Sequence, residues 1–224
     1  IILIIPMENK FKLKFFEPNL FLKSKVAIVG SSASILKKKN GPHIDTFDEV
    51  IRFNRAETQK YNLYTGNKTT LRMINNNVFF RVQTVSEFFL KNLEPSKLGV
   101  VAPFKISEDE KKNFSLDNHK YFFFNSFKAK IIILIFFLIY PKVFFKLIRL
   151  VRLRKQFSIG FITILSCIVS RKKPTLFGFD LSEDMTKRSH YYVKNWPIGG
   201  RHDFKSEHLI IQLLKKKDLV DIVI

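Results

Sequence analysis

Residues 25–75 read KVAIVGSSASILKKKNGPHIDTFDEVIRFNRAETQKYNLYTGNKTTLRMIN, and this stretch decides the fold. It opens on Val26-Ala27-Ile28-Val29, a short β-branched run closed by Gly30 and two serines. An apolar run of that length, bounded by glycine, predicts a buried strand of a parallel sheet. Gly30 lets the chain turn without a Cβ clash, and the hydroxyls and N–H groups of Ser31 and Ser32 then face the carboxyl end of the strand. Glu49-Val50-Ile51-Arg52-Phe53-Asn54 predicts a second strand, and Leu71-Arg72-Met73-Ile74 a third that ends in Asn75. Three strand ends thus bring Ser31, Asn54 and Asn75 to one edge, where open α/β sheets bind nucleotides. The turn is neither a G-x-G-x-x-G fingerprint nor a Walker loop.

The ordered set resembles the large sialyl motif of the eukaryotic-type sialyltransferases, glycosyltransferase family 29. That motif is a V-G-N-S-like turn, then I-D-x-x-D-x-V-x-R-x-N, then G-x-x-T-T. Ile44, Asp45, Asp48, Val50, Arg52 and Asn54 fall on the second part, and Gly66, Thr69 and Thr70 on the third. The resemblance implies an α/β fold: a Rossmann-like, mainly parallel sheet flanked by helices, the variant GT-A-like glycosyltransferase type. It also implies a CMP-sugar donor held by Gly30, Ser31, Ser32, Asn54 and Asn75.

The 224 residues suit one domain, and 46% hydrophobic content suits a folded one. We expect residues 1–23 as an N-terminal extension, with Met7 a candidate start, and 24–224 as one catalytic domain. The net charge of +20 invites an anionic partner: nucleic acid, a membrane surface or an anionic substrate. A Lys-, Asn-, Ile- and Phe-rich composition is also what an AT-rich genome yields. Nucleic acid is not expected, because the phenylalanines lie in continuous apolar runs rather than interleaved with surface cations. A single cysteine, Cys167, excludes an intrachain disulfide and points to a reducing compartment. Residues 1–6 are too short and lack the flanks for a signal peptide, and no apolar run reaches a bilayer-spanning length. The expected location is cytoplasmic, peripheral on the inner face of a bacterial membrane.

Between Asn75 and Ser158 the pattern predicts a helix over 78–93, strands over 98–102 and 121–124, and a helix beginning at the acids of 107–110. Residues 131–140 are apolar without a break, and Lys142, Lys146 and Arg149 follow at helical spacing. Residues 131–155 therefore read as an interfacial segment whose cations meet anionic headgroups, or as a core helix with a solvated basic stripe.

Phe157-Ser158-Ile159-Gly160, an apolar helix and Pro174-Thr175-Leu176-Phe177-Gly178-Phe179 resemble the small sialyl motif, with Ile159 where the family has threonine. Ser158 can cap the helix, and Gly160 leaves its N–H groups approachable by a phosphate or ribose. The cysteine pair that links the two motifs in the family is absent; Val26 and Arg171 stand near those places. Ser189-His190-Tyr191-Tyr192 resembles the family's third motif, with Val193 in place of an acid. His202 and Glu207 form the H-x4-E of the last motif.

The resemblance implies that His202 is the general base on the acceptor hydroxyl and that His190 stabilises charge on the departing phosphate. Histidine suits both tasks, with an unperturbed pKa of about 6.5. Glu207 and Tyr191 are expected to support the site, Glu207 by fixing the structure around His202. A nucleoside monophosphate leaving group develops its charge mainly on one phosphate, so no metal or other cofactor is expected, and no D-x-D pair is present. The implied reaction is an inverting transfer of sialic acid from CMP-sialic acid to a glycan or glycolipid hydroxyl. Alternatives are transfer of another CMP-ulosonic acid such as Kdo, a basic nucleic-acid- or membrane-surface-binding protein without catalysis, and an inactive homologue.

Overall fold

The computed structural model describes residues 25–75, 97–102, 121–143, 157–179, 190–192 and 204–223. The helices expected over 78–93 and from 107, the basic run beyond 143, Val193 and His202 lie outside these residues.

Among the described residues seven strands form one sheet: β1 (Val26–Val29), β2 (Glu49–Phe53), β3 (Leu71–Asn75), β4 (Lys97–Ala102), β5 (Tyr121–Asn125), β6 (Thr175–Phe177) and β7 (Asp221–Val223). Their order is β5-β4-β3-β2-β1-β6-β7, and every pairing is parallel. The chain runs outward from β1 to β5, then returns to place β6 on the other side of β1. The strand order therefore reverses between β1 and β6, the position where such folds open a crevice at the carboxyl ends. The Rossmann-like α/β class expected from the sequence is the one observed.

Alternation along the central strands sorts the core into two layers. Val26, Ile28, Ile51, Phe53, Leu71 and Met73 face one side. There they pack with residues of α3 (Ser126–Ile139), α4 (Ile159–Val169) and α5 (Phe204–Lys216). Ala27, Val29 and Val50 face the other side, packed with Ile35, Ile44 of α1 (Gly41–Asp45), Phe47, Phe177 and Tyr191. Cys167 is fully buried in α4, and burial pushes its thiol pKa well up, so it behaves as an apolar core residue.

The same alternation puts Arg52 and Arg72 side by side in register on this second face. Arg52 has no exposed surface. Its guanidinium donates to the carbonyls of Thr65, Gly66 and Lys68 and to Thr69 Oγ1. Asp45 accepts from the N–H groups of Asn67 and Lys68 at 3.0 and 2.9 Å. Gly66 sits at φ 73°, where a Cβ would fall 2.4 Å from the Asp45 carboxylate. Asp48 accepts from the Lys25 N–H, and the Thr70 hydroxyl binds Glu49. The most distinctive letters of the large motif thus clasp the loop after α2 (Asn62–Thr65) to the amino end of the sheet.

Candidate active site

At the opposite, carboxyl edge, the turn after β1 meets the turn after β6. The Gly30 N–H donates to the Phe177 carbonyl at 2.7 Å and the Ser32 N–H to the Gly178 carbonyl at 3.1 Å. A Cβ on Gly30 would lie 2.5 Å from the Gly178 oxygen, so only glycine permits this approach. The Ser32 hydroxyl accepts from the N–H and hydroxyl of Ser34, capping a 3-10 turn over Ala33–Lys37. Gly30 and Ser32 therefore shape the loop, and the N–H of Ser31 takes no part in these bonds within the turn.

His190 is brought to the same loop across more than 150 residues of chain. Its backbone forms an antiparallel bridge with Ser32, and the Tyr191 N–H donates to the Ser31 carbonyl at 3.0 Å. The His190 ring stacks on Tyr192, with centroids 5.3 Å apart and planes 6° from parallel. Partial burial pulls its pKa below the ordinary histidine value, and a hydrogen bond to the Ser31 backbone opposes that shift. Tyr192 is hydrogen-bonded to the Ser31 side chain, and its phenol pKa is raised chiefly by burial. Tyr191 lies against Tyr61 and donates its hydroxyl to the Glu57 carbonyl at 2.6 Å. Burial holds that phenol neutral. Tyr191 thus ties the segment bearing His190 to the loop after β2.

Asn54 ends β2 in the left-handed region, at φ 47°. Its Oδ1 accepts from the Asn75 N–H at 2.9 Å, which joins the ends of β2 and β3. Because a backbone N–H can only donate, this contact fixes which amide atom is oxygen and leaves Nδ2 as the group Asn54 offers. The edge therefore presents Ser31, Asn54, Asn75 and His190 together.

Ser158 is the N-cap of α4, its hydroxyl accepting from the Phe161 N–H at 3.2 Å. Glu207, 5% exposed on α5, accepts from both the N–H and the hydroxyl of Ser158, the latter at 2.7 Å. A carboxylate thus already neutralises part of this helix N-terminus. The N–H groups of Ile159 and Gly160 are those the first turn leaves without intrahelical partners. The space beside Gly160 is bordered by Phe179 and Phe53, and a Cβ there would meet them at 3.4–3.8 Å, ordinary contact distances, so packing alone does not demand glycine.

His202 lies outside the described residues; in sequence it precedes α5 by two positions. Sequence reasoning placed Glu207 near His202 but missed Ser158 as its partner. It also missed Arg72, whose Nη1 donates to the carbonyls of Asn54 and Ala56, both at 3.0 Å. A charged residue at a core position of β3 was the available signal. Among the described residues no cluster of three or more His, Cys, Asp or Glu could hold a metal ion.

The family profile for glycosyltransferase family 29 (sialyltransferase) matches residues 22–219. A β-galactoside α-2,6-sialyltransferase 2 of Rattus norvegicus is 26% identical over 210 residues, covering 88% of this chain and 39% of its own length. The Xenopus tropicalis protein of the same name is 47% identical over 55 residues, which cover 25% of this chain and 11% of its own. The chain therefore spans well under half the length of these relatives. Among solved structures, a mammalian sialyltransferase in complex with Gal-β-1-3GalNAc-ortho-nitrophenol superposes with a TM-score of 0.64 at 19% identity. It covers 93% of this chain, which spans 72% of that one. A Campylobacter jejuni sialyltransferase with the substrate analogue CMP-3FNeuAc gives 0.55 at 15% identity, covering 88% and 80%.

Proposed function

The chain belongs to glycosyltransferase family 29, the sialyltransferases, and on that premise we propose that it moves sialic acid from CMP-sialic acid to a hydroxyl of an acceptor glycan. The acceptor oxygen attacks the anomeric carbon from the face opposite the phosphate. The carbon–oxygen bond to CMP breaks, and the configuration inverts. The acceptor proton passes to His202, and the electron pair of the broken bond leaves on the phosphate. The protein supplies the proton acceptor and the charge stabilisation from its own side chains, without a metal.

Ser31, through its backbone N–H, and Asn54, through Nδ2, hold the cytidine phosphate across the strand ends with Asn75. Gly30 and Ser32 shape the loop that carries Ser31. The N–H groups of Ile159 and Gly160, at the helix start capped by Ser158, favour negative charge. His190 is protonated beside the phosphate and stabilises it as charge develops. Tyr191 and Glu207 hold these parts in place. The observation that carries this reading is the bridge between His190 and Ser32 at the switch between β1 and β6.

The test is mass spectrometry of products from CMP-sialic acid and a panel of galactosides. Sialylated product is expected from the wild type. His202→Ala should abolish it while leaving CMP affinity within about threefold, since a base acts on the acceptor and not on the donor. Turnover by His202→Ala within about tenfold of the wild type removes the base assignment. CMP-Kdo offered as a competing donor separates the nearer alternative sugar.

The partners in this reading are the nucleotide sugar, a glycan or glycolipid, and an anionic membrane surface met through residues 131–155, on the cytoplasmic side of a bacterial membrane. Leu134, Leu138 and Ile139 are 59, 71 and 47% exposed on α3, next to exposed Lys142. Residues 126–157 contain eight Lys or Arg and no Asp or Glu. Exposed apolar side chains with cations and no acids suit an anionic interface. Among the described residues no helix is long and apolar enough to cross a membrane. Sedimentation with phosphatidylglycerol vesicles, lost on neutralising Lys142, Lys146 and Arg149, would support the contact. Wild type that stays in the supernatant would refute it.

A further inference from the structure

We propose that Arg72 is a positioning residue for the donor: from inside the sheet it fixes the turn at residues 54–56, and through that turn the Asn54 amide that meets the phosphate. The inference rests on the transfer reading and deepens it.

Arg72 is 4% exposed and neighbours Arg52 in register. Burying a guanidinium is costly unless partners repay it, and an apolar side chain would fill a strand position well. The only hydrogen bonds Arg72 makes among the described residues are to the carbonyls of Asn54 and Ala56, and its buried Nε–H has none. The charge is thus spent on two carbonyls that bracket one short turn.

That turn holds Asn54 at φ 47°, in the left-handed region that asparagine adopts more readily than other non-glycine residues. Arg72 grips the chain at Asn54 and two residues beyond, while the Asn75 N–H grips Asn54 Oδ1. Backbone and side chain are both anchored, so Nδ2 is presented in one orientation before any ligand arrives. The guanidinium stays cationic near neutral pH although burial, and secondarily Arg52, lower its pKa to about 10. Its charge therefore also lies beneath the loop proposed to hold the phosphate.

The experiment is a double-mutant cycle read by calorimetry with two probes, CMP and cytidine, on the wild type, Arg72→Met, Asn54→Ala and the double variant. Arg72→Met should weaken CMP about tenfold or more, the scale of one lost hydrogen bond to a charged group. Cytidine, which lacks the phosphate, should change less than about threefold. In the Asn54→Ala background the Arg72 substitution should cost less than about twofold more, because neighbours acting through one contact are not additive. Arg72→Lys, which keeps the charge but not the two-carbonyl grip, should fall between, and it completes the cycle if the methionine variant does not fold. Additive losses, or equal losses for CMP and cytidine, would overturn the inference while leaving the donor site standing. A wild type that binds no CMP would remove the donor site and the inference with it.

Discussion

Arg52 shows how a residue of the family motif acts at a distance from the chemistry. It has no exposed surface and holds the carbonyls of Thr65, Gly66 and Lys68 beneath the sheet. Arg52→Met would strand those carbonyls, so we expect a loss of about 3–5 kcal/mol and a fall in Tm of about 10 °C. Thermal denaturation checks this; an unchanged Tm would contradict the clasp. His190 obeys the opposite logic, since it sits where a ligand can reach it. Burial lowers its pKa below the ordinary histidine value, so the free protein carries it neutral at pH 7. A phosphate beside it favours the cation and raises that pKa. Binding above the free-state pKa therefore takes up a proton, and affinity for a cytidine phosphodiester, whose own charge is constant, should rise as pH falls from 8. Calorimetry in buffers of different ionisation enthalpy reads the uptake directly. His190→Gln should remove both the uptake and the pH slope; if it keeps them, another group titrates.

The contact between α4 and α5 is the clearest case at the scale of elements. Strands β1 to β5 and the apolar helix α4 were legible, because buried parallel strands and apolar helices leave runs bounded by glycine, serine and proline; the short helices α1 and α2 were not. The residues at each end of this contact were legible too, Ser158 as a cap and Glu207 as a supporting acid. Their pairing was not, since they are 49 positions apart and no local periodicity encodes it. Ser158→Ala and Glu207→Ala should each cost stability, and the double variant little more than either. A coupling of about 1.5–3 kcal/mol by urea denaturation is expected for a hydrogen bond to a charged carboxylate. Strict additivity would mean that Ser158 and Glu207 act separately. Glu207→Gln, which keeps one acceptor oxygen, should retain part of the coupling.

Across the whole molecule, the family motifs divide between the two ends of one sheet. Asp45, Asp48, Arg52 and Thr70 secure the amino end. Ser31, Asn54, Asn75 and His190 gather at the carboxyl end, where β1 and β6 mark the reversal of strand order. The order of motifs in the chain announced that the parts belong together. The strand ends placed Ser31, Asn54 and Asn75 at the carboxyl edge, but nothing in the sequence showed that Asp45, Asp48, Arg52 and Thr70 serve the amino end, because those contacts form only once the strands are paired. Ser32 illustrates the limit: its hydroxyl accepts from Ser34 and its N–H donates to the Gly178 carbonyl, and the second of these contacts joins the turns after β1 and β6 with no local pattern to announce it. The most direct test of the central claim is a 15N-resolved NMR titration with CMP. We predict that the amide signals of Ser31, Asn75, Ile159 and Gly160 and the side-chain amide of Asn54 shift together and saturate at one Kd. Shifts confined to other parts of the chain, with these signals unmoved, would contradict a cytidine phosphate lying across the strand ends.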